Sequence, residues 1–225
     1  MEQNFAKMKA MYIAFQTLEP GSGISNKIRN QYEALKEAGL NICFCTQKNI
    51  NDRLCYVVNE TTVIDNLGKG KFANARTFFR YGKLLEYIKN EGIEFVYIRY
   101  ALNATPFFVN FLKELKLCGI SVYMEIPTYP YDGELLNDSI KHRLESFVER
   151  HSRRYFSKYI DRIITFSLDK IIFGIPTIQI SNAVDPSGIR LRTPSSHKSI
   201  NMIAVAMLNF WHGYDRLIKG LANYY

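Results

Sequence analysis

Apolar runs of strand length alternate along this chain with longer stretches whose apolar residues recur at helical spacing. The first run, 9–15, is a short strand closed by the turn-rich QTLEPGSGISN. A helix over 26–37 follows, with Gly39 placed to end it. Further strands are predicted over 41–46, 95–98, 120–124, 163–166 and 177–180, while 53–66 reads as a strand with an irregular return. Helices are predicted over 72–90, 106–117 and 138–158; in the first, Phe72, Ala75, Phe79, Leu84, Tyr87 and Ile88 fall near helical spacing. Strand and helix in alternation predict an α/β fold, a doubly wound and mostly parallel sheet with helices on both faces.

The pattern breaks at DPSGIRLRTPSSHKS, residues 185–199, where serine and proline accumulate without periodicity. Residues 1–184 are therefore expected to form one domain and 185–199 a linker. A strand over 200–206 and a helix over 214–225 follow. One strand and one helix do not bury both their apolar faces, so 200–225 is expected to open a second domain that is truncated here.

Composition fits a globular domain: 47% hydrophobic, 22% charged and rich in aromatics, with fifteen Tyr and fifteen Phe. No apolar run approaches the ~18 residues that span a bilayer, and the first residues do not resemble a secretory signal, so the expected location is cytoplasmic. Four cysteines suit that compartment; Cys43 and Cys45 alternate on one strand face and read as small buried residues. They have no second pair at ligand spacing, so no metal site is predicted. A net charge of +8 points to an anionic partner without naming it.

Several well-known chemistries fail on their motifs. Gly21-Ser22-Gly23 occupies the first strand-to-helix turn, but Asn26 stands where a dinucleotide fingerprint wants its third small residue. CFCTQK, at the second strand, supplies no acid for a ribose. No GK[ST] triplet follows the turn, and no G-x-S-x-G elbow occurs. The four histidines (His142, His151, His197, His212) fall in helices, the linker and the final segment. What survives is a small-residue turn that leads into a helix N-terminus, either a plain tight turn or a place for an anion.

Polar residues gather at the carboxyl ends of the predicted strands, where open parallel sheets bind ligands. Arg99 to Asn103 close one strand, Glu125 and the loop through Tyr129, Tyr131, Asp132 and Glu134 another, and Ser181-Asn182 the last. Tyrosines beside hydrogen-bonding groups suit a saccharide.

With these pieces placed, the chain resembles the N-terminal half of a group 1 (family 4) glycosyltransferase of the GT-B fold. The resemblance rests on the glycine pair running into SNKIRNQYEALKEAGLNI, on ISNAVD, and on the restart INMIAVAMLNFWHGYDRLIKGLANYY. It implies two Rossmann-like domains facing across a cleft, the first taking the acceptor and the second the donor. It also implies transfer of a sugar from a nucleotide-sugar donor to a saccharide or lipid-linked acceptor in polysaccharide or glycoconjugate biosynthesis. Anomeric configuration would be retained, with no metal and no cofactor beyond the donor itself.

Carried onto this chain, Glu125 is the catalytic candidate. Arg99, Asn103, Tyr129, Tyr131, Asp132 and Glu134 would bind the acceptor, and Gly21, Ser22, Gly23 and Asn182 the donor and its phosphates. Two positions depart from the family: His212-Gly213 replaces its usual Lys before Gly, and Glu125 stands near where it often carries His or Asp. The donor-holding basic residues and glutamates are not in this chain, which is expected to be inactive alone.

The helix over 138–158 adds a separate signal. Ile140, Leu144, Phe147 and Val148 form a stripe beside Lys141, Arg143, Arg150, Arg153, Arg154 and Lys158. That face is either an ordinary solvated one or a docking face for an anionic membrane surface, peripheral at its inner side. The basic residues are dispersed and match no nucleic-acid fold, so no nucleic-acid partner is expected. The alternative to an enzyme is a non-catalytic Rossmann-like domain, a binder of phosphate or other anionic ligands or a scaffold.

Overall fold

The computed structural model describes residues 8–131, 140–183, 202 and 213–224, and the chain divides into two units, 1–182 and 183–225. The first unit is α/β. Its core is a sheet built from β1 (Lys9–Thr17), β2 (Asn41–Ile50), β3 (Arg53–Val58), β4 (Thr62–Gly68), β5 (Phe95–Arg99), β6 (Ser121–Ile126), β7 (Arg162–Thr165), β8 (Ile171–Ile172) and β9 (Ile175–Gln179). The strand order is β4-β3-β2-β1-β5-β6-β7-β9-β8. Strands β2, β1, β5, β6, β7 and β9 run parallel, and β3, β4 and β8 add antiparallel edges. The expected mostly parallel sheet is present, and its make-up is compatible with a Rossmann-like fold.

Alternation along the central strands sorts side chains onto two faces. Tyr12, Phe44, Tyr97 and Ile164 point to one face, which Ile28 of α1 (Gly23–Glu37) covers. Met11, Ile13, Val96, Ile98, Val122 and Met124 point to the other. There they meet α3 (Gly82–Asn90) through Leu84 and Ile88, and α4 (Pro106–Leu117) through Phe108, Phe111 and Leu115. Phe108 sits at the centre of that layer, its ring centroid 5.9 Å from Phe15, 5.6 Å from Tyr81 and 6.1 Å from Phe156. Burying an apolar side chain of this size contributes ~1.5–3 kcal/mol.

Three sequence expectations change. The irregular return within 53–66 is strand β4, paired antiparallel with β3. Asn51 and Asp52 join β2 to β3 with φ of 50° and 60°, the primed turn whose twist matches a hairpin and which Asn and Asp tolerate better than most residues. The helix over 72–90 is two helices, α2 (Gly70–Arg76) and α3, because two anchors hold the segment between them to β4. Arg76 donates to the Leu67 carbonyl (2.7 Å), and Arg80 reaches the buried Asp65 carboxylate (2.8 Å). The helix over 138–158 is α5 (Ile140–Ser152) followed by a tighter 3-10 turn, Arg153–Lys158.

Cys43 and Cys45 do point to one face, where Cys45 is buried and Cys43 half-buried against the core. Burial pushes the Cys43 thiol up to about 11, as expected of packing residues. Among the described residues no group of His, Cys, Asp and Glu is placed to hold a metal, and no helix is long and apolar enough to cross a membrane. The predicted linker and the strand over 200–206 lie outside the described residues, apart from Met202. In the second unit the described element is α6 (Tyr214–Tyr224).

Candidate functional site

Strand β1 pairs with β2 on one side and β5 on the other, so the direction of winding reverses between β1 and β5. Beyond the carboxyl ends of such strands the two loops separate and leave a crevice. Here a cavity of about 340 Å³ opens at that point, lined by Gln16 from β1, Ile24 from α1, Arg99 from β5, and Ile126, Thr128 and Tyr131 after β6. Arg99 is the one charged residue among its described lining residues.

The register of β5 and β6 sets Arg99 opposite Glu125. Glu125 is fully buried and forms an ion pair with the Arg99 guanidinium. Tyr97, two residues earlier on the same face, donates its hydroxyl to Glu125 (2.8 Å), and Gln31 of α1 donates its amide (3.1 Å). The Gln31 carbonyl oxygen in turn accepts from Tyr12 (3.1 Å) and Arg99 (3.4 Å). A buried charge needs this density of partners to be tolerated. Burial first, and then the Glu125 charge, push the Tyr97 and Tyr12 phenols up. Glu125 does not itself line the cavity; it holds Arg99, which does.

The α1 N-terminus borders the crevice. Gly21 has φ +76°, a conformation that favours glycine, and open space surrounds the position where its Cβ would be. Ser22 caps the helix by accepting from the Ser25 amide (3.3 Å), and no acidic residue sits in the first turn. One turn on, Lys27 donates to Asn182 (2.7 Å) and lies 3.7 Å over the Phe166 ring. Partial burial lowers the Lys27 pKa, Glu125 raises it and Arg99 lowers it again. Arg99 and, through Ile24, the start of α1 thus meet at one opening, a combination suited to an anionic group, while Lys27 is committed to Asn182 and Phe166 and does not line it.

The remaining candidates divide. Tyr131 lines the cavity but is 2% exposed, and its hydroxyl donates to Glu149 (2.7 Å). Tyr100 donates to the same Glu149 oxygen (2.8 Å), and Arg153 bonds the other (3.2 Å). Tyr129 packs edge-on to Tyr131 and Phe173. Both rings are therefore largely committed to protein contacts. Asn103 turns into the core, where its amide donates to Tyr81 (3.3 Å), and it does not line the cavity. Asp132 and Glu134 lie outside the described residues.

Sequence reasoning missed Lys27, Gln31 and Glu149. The first two are four apart and so share a face of α1, a signal visible in the sequence. Glu149 becomes legible only once α5 is docked.

No protein-family model matches the chain, and no curated protein matches it.

Proposed function

We propose that this chain carries the acceptor-side domain of a retaining glycosyltransferase of the GT-B type. It would move a sugar from a nucleotide-sugar donor to a saccharide or lipid-linked acceptor in polysaccharide or glycoconjugate biosynthesis. The observation that carries this reading is the crevice at the β1/β5 switch point, lined by Arg99, Gln16 and Thr128 and bordered through Ile24 by the start of α1. A diphosphate would lie against the α1 amides and Lys27, and acceptor hydroxyls against Arg99, Gln16 and Thr128. Glu125 acts in this reading as a positioning residue for Arg99, since its carboxylate is enclosed.

Binding is the suitable readout, because the family's donor-holding glutamates lie outside the residues that carry the resemblance. Titration calorimetry with uridine and guanosine diphosphate sugars should detect a complex that Lys27→Met weakens at least tenfold, ~1.4 kcal/mol. Absence of binding by every nucleotide sugar and saccharide tried would sink the proposal.

The non-catalytic reading draws on one observation: among its described lining residues, the cavity exposes no carboxylate to act as acid or base. A complex with inorganic phosphate as tight as with any nucleotide sugar would favour it.

A further inference from the structure

Segment 69–83 carries five basic residues, Lys69, Lys71, Arg76, Arg80 and Lys83, and no acidic one. Interleaved with them, Phe72, Phe78 and Phe79 are exposed at 77%, 43% and 46%. Large rings left in water beside cations need a reason. The backbone here is held in place rather than loose. Arg76 and Arg80 turn inward to the Leu67 carbonyl and to Asp65, and Thr105 at the start of α4 donates to the Phe78 carbonyl (2.7 Å). The phenylalanines are thus presented outward from a fixed frame.

The patch extends onto two neighbouring elements. Phe107 of α4, 60% exposed, has its ring centroid 6.0 Å from that of Phe79. Phe78 lines a groove of about 450 Å³ together with Leu102, Ala104, Leu144 and Val148, so α5 forms its far wall, to which Glu145 and Glu149 also contribute. Leu144 and Phe147, three apart on α5, are both mostly exposed. Residues 140–158 carry six basic residues against two acidic. Acidic side chains are close to some of these cations: Asp52 lies 3.7 Å from Lys69, and Glu86 3.1 Å from Lys83. Asp65 also holds Arg80 and Glu149 holds Arg153, and over the two segments eleven basic residues stand against two acidic ones.

We propose that this face, formed by 69–83, the start of α4 and α5, is a docking surface for an anionic lipid bilayer. Aromatic and aliphatic side chains enter the interfacial layer, and the exposed cations, among them Lys69, Lys71, Arg143, Arg154 and Lys158, meet the headgroups. The groove shares Ala101 and Leu102 with the crevice at the switch point, so a bilayer seated here lies beside the crevice. In one respect the inference rests on the transfer reading: if that reading holds, the acceptor is lipid-linked.

Vesicle co-sedimentation of the full 225-residue chain tests the surface with no nucleotide sugar present, so its outcome is independent of the transfer reading. The expected result is sedimentation with an equal mixture of phosphatidylcholine and phosphatidylglycerol, release by high salt, and none with phosphatidylcholine alone. The double variants Phe78→Ser/Phe79→Ser and Lys69→Glu/Lys71→Glu should each lose at least tenfold in binding. The lysine variant alters only exposed side chains, and wild-type circular dichroism and melting would show that it is folded. Equal binding to both vesicles, or wild-type binding by the folded lysine variant, overturns the proposal. So does binding to a single-stranded RNA with no binding to either vesicle.

Discussion

Arg99 and Glu125 face each other across β5 and β6, Glu125 fully enclosed and Arg99 open to water only at the cavity it lines. An ion pair this deep adds little net stability compared with an apolar pair, but breaking it is expensive. Glu125→Gln keeps the shape of the side chain and leaves the Arg99 charge buried without its counter-ion. It should destabilise the domain by about 3 kcal/mol or more in urea unfolding. Adding Arg99→Met should recover part of that loss, the non-additivity expected of partners in one network. A loss below ~1 kcal/mol would show that Gln31 and Tyr97 satisfy Arg99 without the charge. The sequence places Glu125 at a strand end, where a ligand-binding acid is the natural reading. Its burial depends on Gln31 and Tyr12 arriving from other elements, which no local pattern reports.

At the scale of elements, Thr105 shows how one side chain can tie two segments together. Its hydroxyl oxygen accepts from the Phe108 amide (3.2 Å), capping α4, while its proton goes to the Phe78 carbonyl. Pro106 in the first turn of α4 completes a start signal readable from sequence. Thr105→Ala should cost about 1–2 kcal/mol, and Thr105→Ser should recover most of it, measured as shifts in the urea midpoint. A change below a few tenths of a kcal/mol would mean that neither bond contributes. Periodicity locates α4 well because Phe108, Phe111, Leu112 and Leu115 recur at helical spacing and face one layer. It misreads 72–90 because Phe72 and Phe79 are apolar yet exposed, filling a helical pattern with residues that do not pack inward. The same exposure makes that segment the centre of the docking surface, so the misreading and the inference have one cause. Strand β4 reads as irregular for a related reason: it lies at the sheet edge, and its outward residues, Thr62 and Val63 among them, leave no clear two-residue alternation.

At the scale of the whole molecule, tyrosine content sets an alkaline limit on the fold. Tyr12, Tyr56, Tyr81, Tyr97, Tyr100 and Tyr131 are all buried, and burial is the first cause that raises each phenol above its ordinary value of 10.0. For Tyr97, Tyr100 and Tyr131 a neighbouring carboxylate, Glu125 or Glu149, adds to the shift. Such a phenol stays protonated in the folded chain at pH values where the unfolded chain has released its proton. The unfolded state then binds fewer protons, so stability falls as pH rises. The contribution is complete below pH 10 and is lost progressively above it, at up to ~1.4 kcal/mol per pH unit for each phenol. With several acting together, melting temperature should hold steady to about pH 10 and then drop steeply. Tyrosinate absorbance should appear together with unfolding rather than before it for these residues. Replacing Tyr97 by Phe removes one proton from that linkage and should make the decline shallower. An unchanged slope, or phenol ionisation that precedes the loss of circular dichroism, would contradict the burial that the two faces of the sheet impose.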